Sequence, residues 1–211
     1  MEKQYMSISV ERFVTGPIET NTYVVGNESN ECLIVDPSNG VAAVLQDIAA
    51  KALQPLAILI THGHFDHIGG IPEIIEAYPA LKVHIHSRER VLLAKPELNM
   101  SFLAGMDFRY EGPVVEMDEG PFSIGGFSGT AMVIPGHSPA GTAFLIESVL
   151  LCGDILFAGS IGRSDFPGGN QTTLVEGIRE KLFVLDDAVT VCPGHGGRTT
   201  IGRERRMNPF L

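Results

Sequence analysis

Short apolar runs alternate with stretches of helical period along most of the chain. Residues 7–10, 22–25 and 32–36 read as strands, with a turn at Gly16-Pro17 between the first two. Residues 41–53 place Val41, Val44, Leu45 and Ile48 on one helical face, and 56–60 return as an apolar run of the kind buried on both sides. Beyond Gly69-Gly70, the residues Ile71, Ile74, Ile75 and Tyr78 make an amphipathic helix, with Pro72 in its tolerated first turn. Residues 82–86 alternate, Val83 and Ile85 on one side, His84 and His86 on the polar other. Strands follow at 114–116, 121–124 and 127–134, then a hairpin at 142–146 and 149–152. Asn170 is placed to cap a helix carrying Leu174, Ile178 and Leu182, and 188–192 is the last strand. This order of elements indicates an α/β protein.

Residues 95–112, with Pro96, Asn99 and Gly105, read as a loop. Phe102, Met106, Phe108 and Tyr110 there form either a lid over a pocket or a local surface cluster. The tail bearing Arg203, Arg205 and Arg206 reads as solvated.

Composition narrows the class. With 211 residues, 44% hydrophobic and 19% charged, the chain suits one globular domain spanning 1–211. A formal charge of -10 argues against a nucleic-acid backbone as partner, since phosphate binding wants a basic stripe. The N-terminal residues 1–5 lack a secretory pattern, and no apolar run reaches the roughly 20 residues that span a bilayer. Cys32, Cys152 and Cys192 each sit in or beside an apolar run, which suits reduced packing residues in a cytoplasmic protein.

The chemistry concentrates where 56–60 ends. His62-Gly63-His64-Phe65-Asp66-His67 puts three imidazoles and a carboxylate within six residues, at a strand end, where α/β sheets place their sites. Imidazole nitrogens and carboxylates together suit divalent Zn, Fe or Mn. His84 and His86 are read instead as a strand's polar face.

This HxHxDH run is followed by His137 in Pro-Gly-His-Ser, Asp154 in Cys-Gly-Asp and His195 in Pro-Gly-His-Gly. Taken together, the motifs resemble the metallo-β-lactamase superfamily. That resemblance implies a four-layered αββα sandwich and two divalent metal ions, zinc first among the candidates. By the same resemblance His62, His64 and His137 would hold one ion, Asp66, His67 and His195 the other, and Asp154 would bridge them. A metal-bridging hydroxide would attack an acyl carbon, with Asp66 orienting it.

The run from Gly153 to Phe166 is similar to the glyoxalase II group, hydrolases of S-acylglutathione thioesters, particularly the compact bacterial type. The implied substrate is a small thiol-derived thioester such as S-lactoylglutathione. Arg163 would contact a carboxylate of the thiol, or else tie down its own loop through Asp165; Phe166 loosely matches an aromatic contact. The chain departs from the larger type in having Gly63 where a third His stands, and in ending soon after His195. Persulfide dioxygenases share the fold and a similar Gly-Arg-x-Asp-Phe segment. Their single Fe(II) would fall on His62, His137 and Asp154.

Overall fold

The computed structural model describes residues 7–166 and 168–211; residues 1–5, read above for a leader, lie outside the described residues. The chain builds two six-stranded sheets. The first contains β1 (Ser9–Thr15), β2 (Thr20–Gly26), β3 (Glu31–Val35), β4 (Gln54–Leu59), β5 (Lys82–Ile85) and β6 (Val114–Glu116), in that spatial order. Its first three strands are antiparallel and the remainder parallel. The second contains β7 (Gly120–Ile124), β8 (Phe127–Val133), β9 (Thr142–Ile146), β10 (Val149–Gly153), β13 (Thr190–Pro193) and β14 (Thr199–Thr200), ordered β14-β13-β10-β9-β8-β7. A two-stranded ribbon, β11 (Leu156–Phe157) and β12 (Ser160–Ile161), follows β10.

Side-chain alternation explains why the strands read as continuous apolar runs. Tyr23, Val25, Leu33, Val35, Ala57 and Leu59 face the other sheet, where they meet Phe127, Ala131, Phe144, Ile146, Leu151 and Cys192. The intervening Val24, Cys32, Ile34, Ile58 and Ile60 face outward onto α1 (Ala42–Ala50) and α3 (Ile71–Ala77). The outer side of the second sheet packs on Leu174 of α5 (Gln171–Gly177) and on Ile178 and Leu182 in the π-helical turn that continues it. Ile201 of α6 (Ile201–Met207) joins the same layer. The layers are therefore helix, sheet, sheet, helix, with apolar residues on both faces of each sheet.

The three cysteines fall in three different core layers, buried and free. Burial pushes the Cys32 thiol up to about 12 and that of Cys192 to about 11, as befits packing residues. Asn170 caps α5 as read, its Oδ1 accepting from Thr173 N at 3.0 Å.

Arg203, Arg205 and Arg206 are exposed, as read, but they belong to α6, where Arg205 and Arg206 both pair with Asp187. Of the two readings of the aromatic residues of 95–112, local packing is the one observed. Phe108 and Tyr110 pack against the first core, held by Tyr110 N on Leu93 O at 2.8 Å and Asn99 Nδ2 on Phe108 O at 3.0 Å. Phe102 and Met106 line a separate surface hollow.

Candidate metal centre

The candidate residues sit just past the ends of strands, on loops the two sheets bring together. The 62–67 run follows β4 and includes α2 (Phe65–Ile68); His137 follows β8, Asp154 follows β10 and His195 follows β13. The result is two adjoining groups. In the first, His137 Nε2 lies 3.2 Å from His62 Nε2 and 3.0 Å from His64 Nδ1. In the second, Asp66 Oδ2 is 3.2 Å from His67 Nε2 and 3.3 Å from His195 Nε2. Asp154 stands between them: its Oδ2 is 3.6 Å from both His137 Nε2 and His195 Nε2, and its Oδ1 is 3.4 Å from His67 Nε2. All seven candidates thus converge, while His84 and His86 do not join a metal-holding group among the described residues.

Partner chemistry assigns the histidine tautomers. His137 Nδ1 is 2.6 Å from the Arg163 carbonyl, which only accepts, so Nδ1 carries the proton and Nε2 a lone pair. His67 Nδ1 is 3.0 Å from Asp36 Oδ2 and so also carries a proton. Thr61 Oγ1 donates to Asp36 Oδ2 at 2.6 Å, so it accepts from His62 Nδ1 at 3.1 Å, and again Nε2 is left with a lone pair. The lone pairs of His62 Nε2 and His137 Nε2, 3.2 Å apart, cannot bond one another. A tetrahedral ion with nitrogen at about 2.0–2.1 Å would set its ligands about 3.3–3.4 Å apart, close to this spacing. His67 Nε2 and Asp154 Oδ1 are buried and without a hydrogen-bond partner. The donor set therefore fits divalent cations.

Charge differs sharply between the two groups. Burial, reinforced by neighbouring imidazoles, holds His62 well below its usual range and His64 down to about 3. Burial also disfavours charge on His67, but Asp66, Asp154 and Asp36 around it raise its pKa well above normal. His195 is likewise raised, burial being outweighed by its bond to Asp66 and the charge of Asp154. Burial opposes ionisation of Asp66 and Asp154, yet the neighbouring charge of His67 holds both carboxyls low.

Several supporting residues were not singled out in the sequence. Asp36 takes a positive φ of 49° at the end of β3, held there by Thr61 N at 2.8 Å as well as by Thr61 Oγ1 and His67. Its signal was an acidic residue closing a buried strand before Pro37. Thr20 Oγ1 donates to Asp66 Oδ2 at 2.8 Å. Asn21 Nδ2 donates to the carbonyls of Pro193 and Gly196, both at 2.9 Å, and clasps the His195 loop. Gly194 must be glycine, because a Cβ would come 2.2 Å from Asp154 Oδ1 and 2.6 Å from His67 Cε1.

A cavity of about 440 Å³ opens over these groups, walled by Ile18, Met100, Phe157, Ile161, Phe166 and Arg163. Phe166 packs edge-on against His64 and His137, with ring centroids 5.5 and 5.8 Å away. The guanidinium of Arg163 lies 4.5 Å from the Phe166 ring centroid, and its fork is taken by Asp165 at 3.0 and 2.9 Å. Arg163 thus ties down its own loop through Asp165 while lining the cavity.

The family model described as the metallo-beta-lactamase superfamily matches residues 15–195. A probable metallo-hydrolase, YqgX of Bacillus subtilis, is 40% identical over 205 residues, covering 95% of this chain and 96% of the relative. Hydroxyacylglutathione hydrolase GloC of Haemophilus influenzae is 31% identical, covering 97% and 98%. Among solved structures, the BLEG-1 B3 metallo-beta-lactamase superposes with a TM-score of 0.92 at 38% identity, covering 96% of this chain and 99% of its own. TTHA1623 in a di-iron-bound form gives 0.86 at 34% identity, covering 96% and 100%. Seven converging His and Asp donors at the strand ends of an αββα sandwich, and relatives matched over nearly their whole length, agree: the chain belongs to the metallo-β-lactamase superfamily.

Proposed function

We propose that the chain is a metal-dependent hydrolase of a small thiol-derived thioester of the S-lactoylglutathione kind. The observation that carries the reading is the pair of adjoining donor groups with Asp154 set between them, under a cavity large enough for a small acyl group. His62, His64 and His137 would hold one divalent ion and Asp66, His67 and His195 a second, with Asp154 shared. Zinc suits these donors, as do iron and manganese; the di-iron form of TTHA1623 is a precedent for two ions in a related chain. Divalent ions in this setting lower the pKa of water towards ~7 and polarise a carbonyl under attack.

The chain's own residues do the remaining work. Thr20 fixes the carboxylate plane of Asp66, which orients the attacking water. Phe157, Ile161 and Phe166 exclude bulk water from the acyl carbon. Arg163 exchanges Asp165 for a substrate carboxylate, a fork-to-fork contact that suits a guanidinium. A departing thiol has a pKa near 8.5 and leaves as thiolate without an acid catalyst. In the dioxygenase reading with a single iron on His62, His137 and Asp154, the charged group of Asp66, His67 and His195 would have no task.

The test is a substrate panel on protein carrying two equivalents of metal: S-lactoylglutathione, other acyl thioesters, a β-lactam, and oxygen uptake with glutathione persulfide. Thioester hydrolysis with the highest kcat/KM supports the reading. Preference for the β-lactam, the substrate type in the name of BLEG-1, or oxygen consumption with one iron, would replace it.

A further inference from the structure

Glu89 is wholly buried, at the start of α4 (Arg90–Leu93), and belongs to none of the donor groups. Its carboxylate reaches into two loops at once. Oε2 accepts from the backbone N–H of Gly63 at 2.9 Å. Oε1 accepts from Ser138 Oγ at 2.8 Å and from Ala140 N at 2.5 Å. Gly63 lies between His62 and His64, and Ser138 follows His137. All three donors are neutral, so this carboxylate is buried against N–H and O–H groups rather than a cationic side chain. That is a costly arrangement unless it sets something.

The loop it grips is moulded to it. A Cβ on Gly63 would sit 2.6 Å from Leu92 Cβ and 3.1 Å from the Glu89 carbonyl, so only glycine lets α4 dock this closely. This is a physical reason for the absence of a third histidine between the first two.

We propose that Glu89 is the positioning residue of the three-histidine group, fixing His62 and His64 against His137 so that the first metal finds its nitrogens already spaced. The two loops are 75 residues apart in sequence at His62 and His137. Besides Glu89, they share the backbone bond from Thr142 N to Thr61 O, which holds the strand edge and not the ligand tips. The Asp66, His67 and His195 group has supports of its own in Thr20, Asn21 and Asp36.

Glu89→Gln is the sharp variant. It is isosteric, yet its amide nitrogen must face either the N–H of Gly63 or that of Ala140, so one backbone donor always loses its acceptor. Co²⁺ is titrated into metal-free protein against a chelator, with the visible spectrum recorded. Both the parent and Glu89→Gln carry Asp66→Ala, which takes a ligand from the second position, and the first equivalent of Co²⁺ is the one read. A loss of affinity of about 10-fold or more, with a changed Co²⁺ spectrum and an intact fold by circular dichroism, supports the proposal. Unchanged affinity and spectrum overturn it. Should Glu89→Gln not fold, Ser138→Ala, which removes one of the three donors, decides: weaker Co²⁺ binding supports and unchanged binding overturns. The proposal rests on the two-position reading above, and an Asp66→Ala parent that binds no Co²⁺ would break that reading itself.

Discussion

The two halves of the centre share a cavity, Asp154 and the Thr61–Asp36 pair that links His62 to His67, and differ in the rest of their surroundings. The three-histidine half is lined by imidazole lone pairs, is deeply buried, and is framed by backbone and by Glu89. The other half packs three carboxylates, Asp36, Asp66 and Asp154, around His67, and opens to solvent at His195, whose side chain is 28% exposed. The N-terminal hairpin and β13 hold it together through Thr20, Asn21 and the bond from Tyr23 Oη to the Pro193 carbonyl at 2.8 Å. Burial and neighbouring imidazoles disfavour a proton on His62 and His64, whereas neighbouring carboxylates favour one on His67 and His195. The same residue types, in different company, are thus tuned in opposite directions.

The most severe way to break the contrast is to remove what joins the halves. Asp154→Ala is expected to lose metal and to lower kcat/KM by more than about 100-fold, beyond what outer supporting residues usually cost. Elemental analysis and thioester turnover check it; retained metal with full turnover would show that Asp154 is no bridge. Next comes Asn21→Ala, which frees the His195 loop. It is expected to weaken the second ion about 10-fold and leave the first unchanged, as read by chelator competition.

A third prediction concerns protons. His62 and His64, with lowered pKa values, stabilise the metal-free fold above their unfolded value and lose that contribution as pH falls. His67 and His195, with raised values, stabilise it below theirs and lose the contribution as pH rises. The two trends meet near the ordinary histidine pKa, so the Tm of metal-free protein is expected to peak near pH ~6.5. His64→Ala should flatten the acid limb and His195→Ala the alkaline limb in thermal melts. The smallest expected effect is that of Arg163→Ala: a higher KM for a carboxylate-bearing thioester with kcat nearly unchanged, in steady-state kinetics. Asp165→Ala, which frees the same fork, should move KM the other way.

The seven donors were legible because each lies in a short run beside glycine at a strand end. The α/β class was legible in the alternation of apolar runs and helical stretches, and the sandwich only through the resemblance that the donor motifs carry. What supports the donors was not, since it exists only across long sequence separations. Thr20 meets Asp66 across 46 residues, and Asn21 meets Pro193 across 172. Glu89 lies in a charged run, Arg88-Glu89-Arg90, that reads as surface; only folding shows that its carboxylate points inward. The helix α6 was missed because it is short and polar, although Thr200 caps it by accepting from Arg203 N at 3.2 Å. The choice between lid and local cluster at 95–112 stayed open because aromatic residues in a loop look alike whether they cover a cavity or pack down on a core.

The most direct test of the contrast is calorimetric titration of Zn²⁺ into metal-free protein at pH 8 and at pH 6. The account predicts two equivalents at pH 8. At pH 6, one equivalent is nearly as tight as before and the other is markedly weakened by proton competition at His67 and His195. Two equivalents weakened equally by acid, or a single equivalent at both pH values, would contradict it.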